Sequence, residues 1–172
     1  MSVATIEATH TTLGRVDRTL TATRWLDDVE MSAWRSYVET QSDLNTAIEA
    51  DLVPTGLTLG DYQVLVFLSE ADDRRMRMCD LADMLQLSPS GLTRRLDGLV
   101  RRGWVERQGS ELDRRVMLAV LTDRGFAQLE AAAPIHVVSV RARIVDVLDR
   151  DELESMSRIF GKLRAALNAS TS

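Results

Sequence analysis

Ser88-Pro-Ser-Gly-Leu-Thr-Arg-Arg-Leu-Asp-Gly-Leu-Val-Arg-Arg-Gly-Trp104 is the stretch on which the fold of this 172-residue chain turns. Ser88 is a favoured helix N-cap, because its hydroxyl accepts an amide that the first turn leaves unpaired. Pro89 suits the first helical position, where a missing N–H removes nothing. Gly103 marks the stop. Advancing about 100° per residue along the helix so bounded gathers Leu92, Leu96, Leu99 and Val100 on one arc. Arg94 and Arg101 fall nearly opposite, with Ser90, Gly91, Asp97 and Gly98 around them. Glycine costs about 1 kcal/mol inside a helix, so two on one face want a reason. Close approach to a surface is one. A DNA major groove admits a helix, and an arginine there can donate two parallel hydrogen bonds to guanine O6 and N7. Ser90 and Thr93 are short hydroxyls near the helix start, suited to phosphates. A solvated basic face is the plain alternative, and on this helix alone the two readings weigh equally.

The surroundings tip the balance. On the N-terminal side, Cys79–Leu85 reads as a short helix with Leu81, Ala82 and Leu85 inward, and Gln86-Leu87 as a tight turn. On the C-terminal side, 104–108 and 115–121 carry Trp, Val, Met and Leu in partial alternation around the turn composition of 109–114. That is a hairpin with a basic tip, Arg114 and Arg115, beside which Asp113 is placed to brace a guanidinium. Clamps of this type set the second helix in the major groove and the hairpin against the backbone or minor groove. The fold class expected is mainly α with a small β-hairpin wing, a winged helix-turn-helix.

Farther out, Thr58 and Asp61 form a capping-box variant, and the apolar run Tyr62–Leu68 predicts a helix buried on most sides. The segment 71–77 reads as a polar turn. A long amphipathic helix is predicted over Asp27–Leu52, ended by Pro54-Thr55-Gly56. Thr122 opens another, running to about Leu148 and kinked at Pro134. Asp149 and Glu152 cap a last helix whose stripe is Leu153, Met156, Ile159, Phe160, Leu163, Ala166 and Leu167. Residues 1–26 read as a flexible arm.

The net charge of −5 argues against a nucleic-acid partner until its distribution is read. From Ser88 to Leu118 seven arginines oppose four acids, a local charge of +3. A basic middle between acidic ends is what one groove-facing surface needs. Cys79 is the single cysteine, so no internal disulfide forms. With no apolar signal core and no membrane-length apolar run, a cytoplasmic protein is expected. The histidines are His10 and His136; no metal-ligand spacing, phosphate loop or nucleophile elbow accompanies them, so no catalytic residue, metal or cofactor is expected.

Taken together, Leu81-Ala82, the run from Leu87 to Arg107, Asp113-Arg-Arg115 and Leu121-Thr-Asp-Arg-Gly125 resemble the MarR family of transcription regulators. The likeness covers about 57–133; the flanking helices match by position. It implies that Thr93 and Arg94 match the family's Thr-Arg pair in the recognition helix. Asp113 and Arg115 match its wing Asp-x-Arg, whose Arg enters the minor groove. It also implies that the first and last helices join two chains into a homodimer, in keeping with the apolar stripes at both ends. The organisation expected is therefore an arm (1–26), a dimerisation helix (27–56), a DNA-binding domain (57–122) and C-terminal dimerisation helices (123–172). The candidate DNA-contacting set is Ser88, Ser90, Thr93, Arg94, Arg95, Arg101, Asp113, Arg114 and Arg115. The resemblance further implies a palindromic double-stranded operator, a repressor's role, and release by a small aromatic or phenolic effector. Trp34, Tyr37 and His136 are the amphipathic groups placed to meet one, although each is more often an ordinary core or interface residue. Cys79 is read as a buried, inert thiol rather than a redox switch. The rival reading is a winged-helix module that contacts protein without binding DNA.

Overall fold

The computed structural model describes residues 23–110, 113 and 115–169. They group into two units, one ending at Tyr37 and one beginning at Val38. Helix α1 (Asp28–Leu52) is followed by a short 3-10 turn (Val53–Thr55) and α2 (Leu59–Glu70). A second 3-10 turn (Asp72–Arg74), strand β1 (Arg75–Arg77) and α3 (Met78–Met84) lead to α4 (Pro89–Arg101). Strands β2 (Val105–Gly109) and β3 (Met117–Leu121) form the hairpin, and α5 (Asp123–Val140) and α6 (Arg150–Ala169) complete the chain. Among the described residues, no helix is long and apolar enough to cross a membrane.

The helix starts are set by side chains, as the sequence suggests. Asp61 N–H donates to Thr58 Oγ1 at 3.0 Å, and the Asp61 carboxylate accepts from Thr58 N–H at 3.3 Å. Asp27 with Glu30 and Asp149 with Glu152 make the same reciprocal pair at α1 and α6. Each satisfies donors that a helix cannot pair within itself. At the end of α4, Gly103 adopts φ +69°, which a residue without Cβ enters freely. Its N–H reaches Val100 O and that of Trp104 reaches Leu99 O, closing the last turn.

Between α2, α3, α4, the sheet and the start of α5 lies one core. Leu92, Leu96 and Leu99 of α4, Val64, Leu65 and Leu68 of α2, Leu81 of α3, and Val105 and Ala119 of the sheet are almost wholly buried there. The inward arc of α4 read from the sequence is thus the buried one.

Three expectations need correction. The segment 71–77 is not all turn: Arg75, Met76 and Arg77 pair antiparallel with Val120, Ala119 and Leu118, so the sheet has three strands in the order β1-β3-β2. Helix α5 holds Pro134 inside it, as expected, but ends at Val140 rather than near Leu148, and the backbone widens into a π-type turn over Arg141–Val145. Cys79 is exposed rather than buried.

Candidate nucleic-acid interface

The outward face of α4 is built on a seat of buried leucines, so its exposed residues are held by the core. Ser88 Oγ accepts from Gly91 N–H at 3.1 Å and lies 3.1 Å from Ser90 Oγ. Thr93 Oγ1 donates to Pro89 O at 2.9 Å. Its proton is used inside the helix, so Thr93 gives a phosphate a hydrogen bond only by surrendering that one. Arg94 and Arg101 are exposed, and no hydrogen bond or ion pair among the described residues engages either guanidinium. Between them lies Gly98, where an added Cβ would meet nothing within 4 Å.

The remaining arginines of this region do other things. Arg95 turns back to the start of α2: Nη1 is 3.6 Å from Asp61 Oδ1 and 3.4 Å from Thr58 Oγ1. Arg102 bonds the Gly56 carbonyl and lies over Trp104, 4.8 Å from the ring centroid. Arg107, on β2, reaches across to α4, with Nη2 2.9 Å from Thr93 O and 2.8 Å from Asp97 Oδ1. Sequence counting treats all of these as one basic patch. The structure leaves Arg94, Arg101 and Arg115 free among the described residues and engages Arg95, Arg102 and Arg107 inside the fold.

At the wing, Ser110 N–H donates to Val116 O and Val116 N–H to Asp113 O, each at 2.9 Å. The Asp113 carboxylate accepts the Arg115 backbone N–H at 2.9 Å, and among the described residues it braces no guanidinium. That bond shapes the turn and leaves the exposed Arg115 side chain unengaged. Arg114 and His10 lie outside the described residues.

The candidate effector residues are placed differently from one another. On α1, Trp34 and Tyr37 have ring centroids 6.0 Å apart and are 56% and 40% exposed. His136 on α5 lies against Tyr62 of α2, centroids 4.4 Å apart, with a buried Nδ1 that has no partner among the described residues. Burial pushes its pKa below the ordinary 6.5. Sequence reading missed a cleft of about 520 Å³ between the end of α1 and α5, which Asp51, Ser139 and Arg143 help to line. The Ser139 hydroxyl, helped by the Arg143 guanidinium 2.6 Å from Asp51 Oδ2, holds the Asp51 carboxyl below its usual range against the opposing push of burial. No local pattern announces this trio, because Asp51 stands far from the other two in the chain. Cys79 Sγ donates to Asp80 Oδ1 at 3.3 Å, and Asp80 takes a two-pronged pair from Arg77. Among the described residues, no three His, Cys, Asp or Glu side chains group as metal ligands.

Residues 55–116 match the family model described as MarR family. AbsC, a MarR family transcriptional regulator from Streptomyces coelicolor, is 39% identical, with a TM-score of 0.81 over 86% of this chain and 99% of that one. Sco3205, a MarR family transcriptional regulator from the same organism solved in complex with DNA, is 34% identical, with a TM-score of 0.80 over 84% and 92%. The transcriptional repressor YetL of Bacillus subtilis is 28% identical over 138 residues, 80% of this chain and 82% of that protein. With a similar solved protein at 39% identity matched over nearly its whole length, and the winged helix-turn-helix complete, the chain belongs to the MarR family of transcriptional regulators.

Proposed function

We propose that this regulator binds a palindromic double-stranded operator as a homodimer and represses transcription from it, a role that places it in the cytoplasm with its target. The observation that carries the reading is the face of α4: Arg94 and Arg101 stand exposed on a helix seated in the core, and the space above Gly98 between them is open. Arg115 is exposed on the wing. Sco3205, similar over most of the chain, was solved with DNA, and YetL bears the name of a repressor. In this reading 57–122 is the DNA-binding domain, while 27–56 and 123–172 join the two chains. A small aromatic effector meeting Trp34, Tyr37 or His136 would release DNA only by its differential affinity for the two spacings of the reading heads. The exposure of Trp34 and Tyr37 supports such contact.

Selection of bound DNA from a random pool tests the reading, because a palindrome reports sequence preference and two-fold symmetry together. On the selected operator, Arg94→Ala is expected to weaken binding by about 1–3 kcal/mol and relax preference at one position per half-site. Arg115→Ala is expected to weaken it as well and to flatten its salt dependence. Full affinity in both variants overturns the assignment. Failure of the wild type to bind any duplex at low salt returns the protein-binding alternative.

A further inference from the structure

We infer that Arg107 is a positioning residue for DNA recognition, the strut that fixes the wing to the middle of α4; the inference rests on the function proposed above. Arg107 sits in β2 opposite Ala119 of β3. Its guanidinium leaves the sheet for α4, where Nη2 donates both to Thr93 O, at 2.9 Å, and to Asp97 Oδ1, at 2.8 Å. Nε is buried and unpartnered among the described residues, and the side chain is only 28% exposed. A group so enclosed, its charge already met by Asp97, is poorly placed to neutralise a phosphate.

The anchor points say what the strut holds. Thr93 directly precedes Arg94, and Asp97 directly precedes Gly98, so each bond is anchored next to a residue of the outward face of α4. At the other end, Arg107 lies three residues before Ser110, whose N–H closes the turn that carries Arg115. Arg94 and Arg115 come from separate elements, and the strut sets their spacing before DNA arrives. Two contacts held at the right separation act as one linked contact, whereas two that must be aligned on binding lose the advantage of high effective concentration.

The test compares Arg107→Met and Asp97→Asn with the wild type as full-length protein, on the selected operator and on random duplex, across a range of salt. The ratio of operator to random affinity is expected to fall about tenfold in Arg107→Met, with the salt slope unchanged. Asp97→Asn keeps the shape of the site and is expected to lower the ratio less. The double variant is expected to be no worse than Arg107→Met alone, since both changes loosen one strut. In the free protein, amide exchange at Ser110 and Val116 is expected to quicken about tenfold in Arg107→Met, with α2 and α5 unaffected. A slope lowered by about one with the ratio preserved would make Arg107 a phosphate contact and overturn the inference. So would unaltered exchange at the wing. If the wild type binds no duplex, the proposed function falls, and the exchange measurement still decides whether the strut exists.

Discussion

Gly91 and Gly98 look alike in the sequence and differ in the structure. A Cβ at Gly91 would lie 3.2 Å from Ser88 Oγ, so its missing side chain serves the helix's own cap. A Cβ at Gly98 would meet nothing within 4 Å. Inside the chain nothing asks for glycine there, yet it lowers helix stability by about 1 kcal/mol relative to alanine. On the function proposed above, a DNA surface that must come close accounts for it. Gly98→Ala is therefore expected to raise the thermal midpoint by about 2–4 °C while weakening operator binding, measured side by side by thermal denaturation and binding titration. A more stable protein with undiminished affinity removes Gly98 from the interface. The arginines show the limit of reading single residues. Local composition locates the basic stretch, but Thr58, one partner of Arg95, lies 37 positions away, Gly56, the partner of Arg102, 46, and Asp97 and Thr93, the partners of Arg107, 10 and 14. Which arginines remain free is a property of the fold.

Elements were legible where their signals are local. The caps of α2 and α6 were read from residues three apart, because a capping side chain acts on the next turn of its own helix, and that of α4 from Ser88 followed by Pro89. Strand β1 was not legible: Arg75-Met-Arg77 is two-thirds charged and too short for its alternation to stand out, and it is extended because β3 offers it a ladder. The widening of α5 at Arg141–Val145 has no sequence signal that we recognise. The packing of α5 on α2 brings His136 against Tyr62, and this has a consequence for pH dependence. Burial holds the folded-state pKa of His136 below 6.5, so between those two values the unfolded chain binds a proton that the folded chain does not. The contribution is fully present above pH 6.5 and is lost as pH falls through the folded value. The lowered carboxyls of Asp51 and Asp80 act in a more acidic range, below their ordinary 3.8. Between pH 7.5 and 5.5 the thermal midpoint of the wild type is expected to drop more than that of His136→Phe, which keeps a ring against Tyr62. Parallel curves would show that His136 does not titrate in that range.

At the scale of the whole molecule, what the chain leaves uncovered matters more than what it buries. Helix α6 has no buried residue, and Ile159 and Leu163 of its apolar stripe are each 52% exposed. Apolar faces of this extent mark association sites, and in a closed dimer the same face serves both partners. The stripe was legible in the sequence, and within one chain it stays uncovered; on the dimer proposed above, a second copy covers it. Charge gives the dimer a measurable signature. The chain carries −5 overall but +3 over Ser88–Leu118, and on the function proposed above each copy supplies the free arginines for one of two half-sites about one helical turn apart. The salt slope of binding scales with the number of phosphates neutralised. Leu163→Glu puts a charge in the middle of the stripe and is expected to halve the mass in solution. It should collapse operator affinity and reduce the salt slope of the remaining binding to about half that of the wild type. Sedimentation and binding titrations over the same range of salt check both at once. A variant that stays dimeric, or a monomer that keeps the full slope, would place the contact between copies elsewhere than α6.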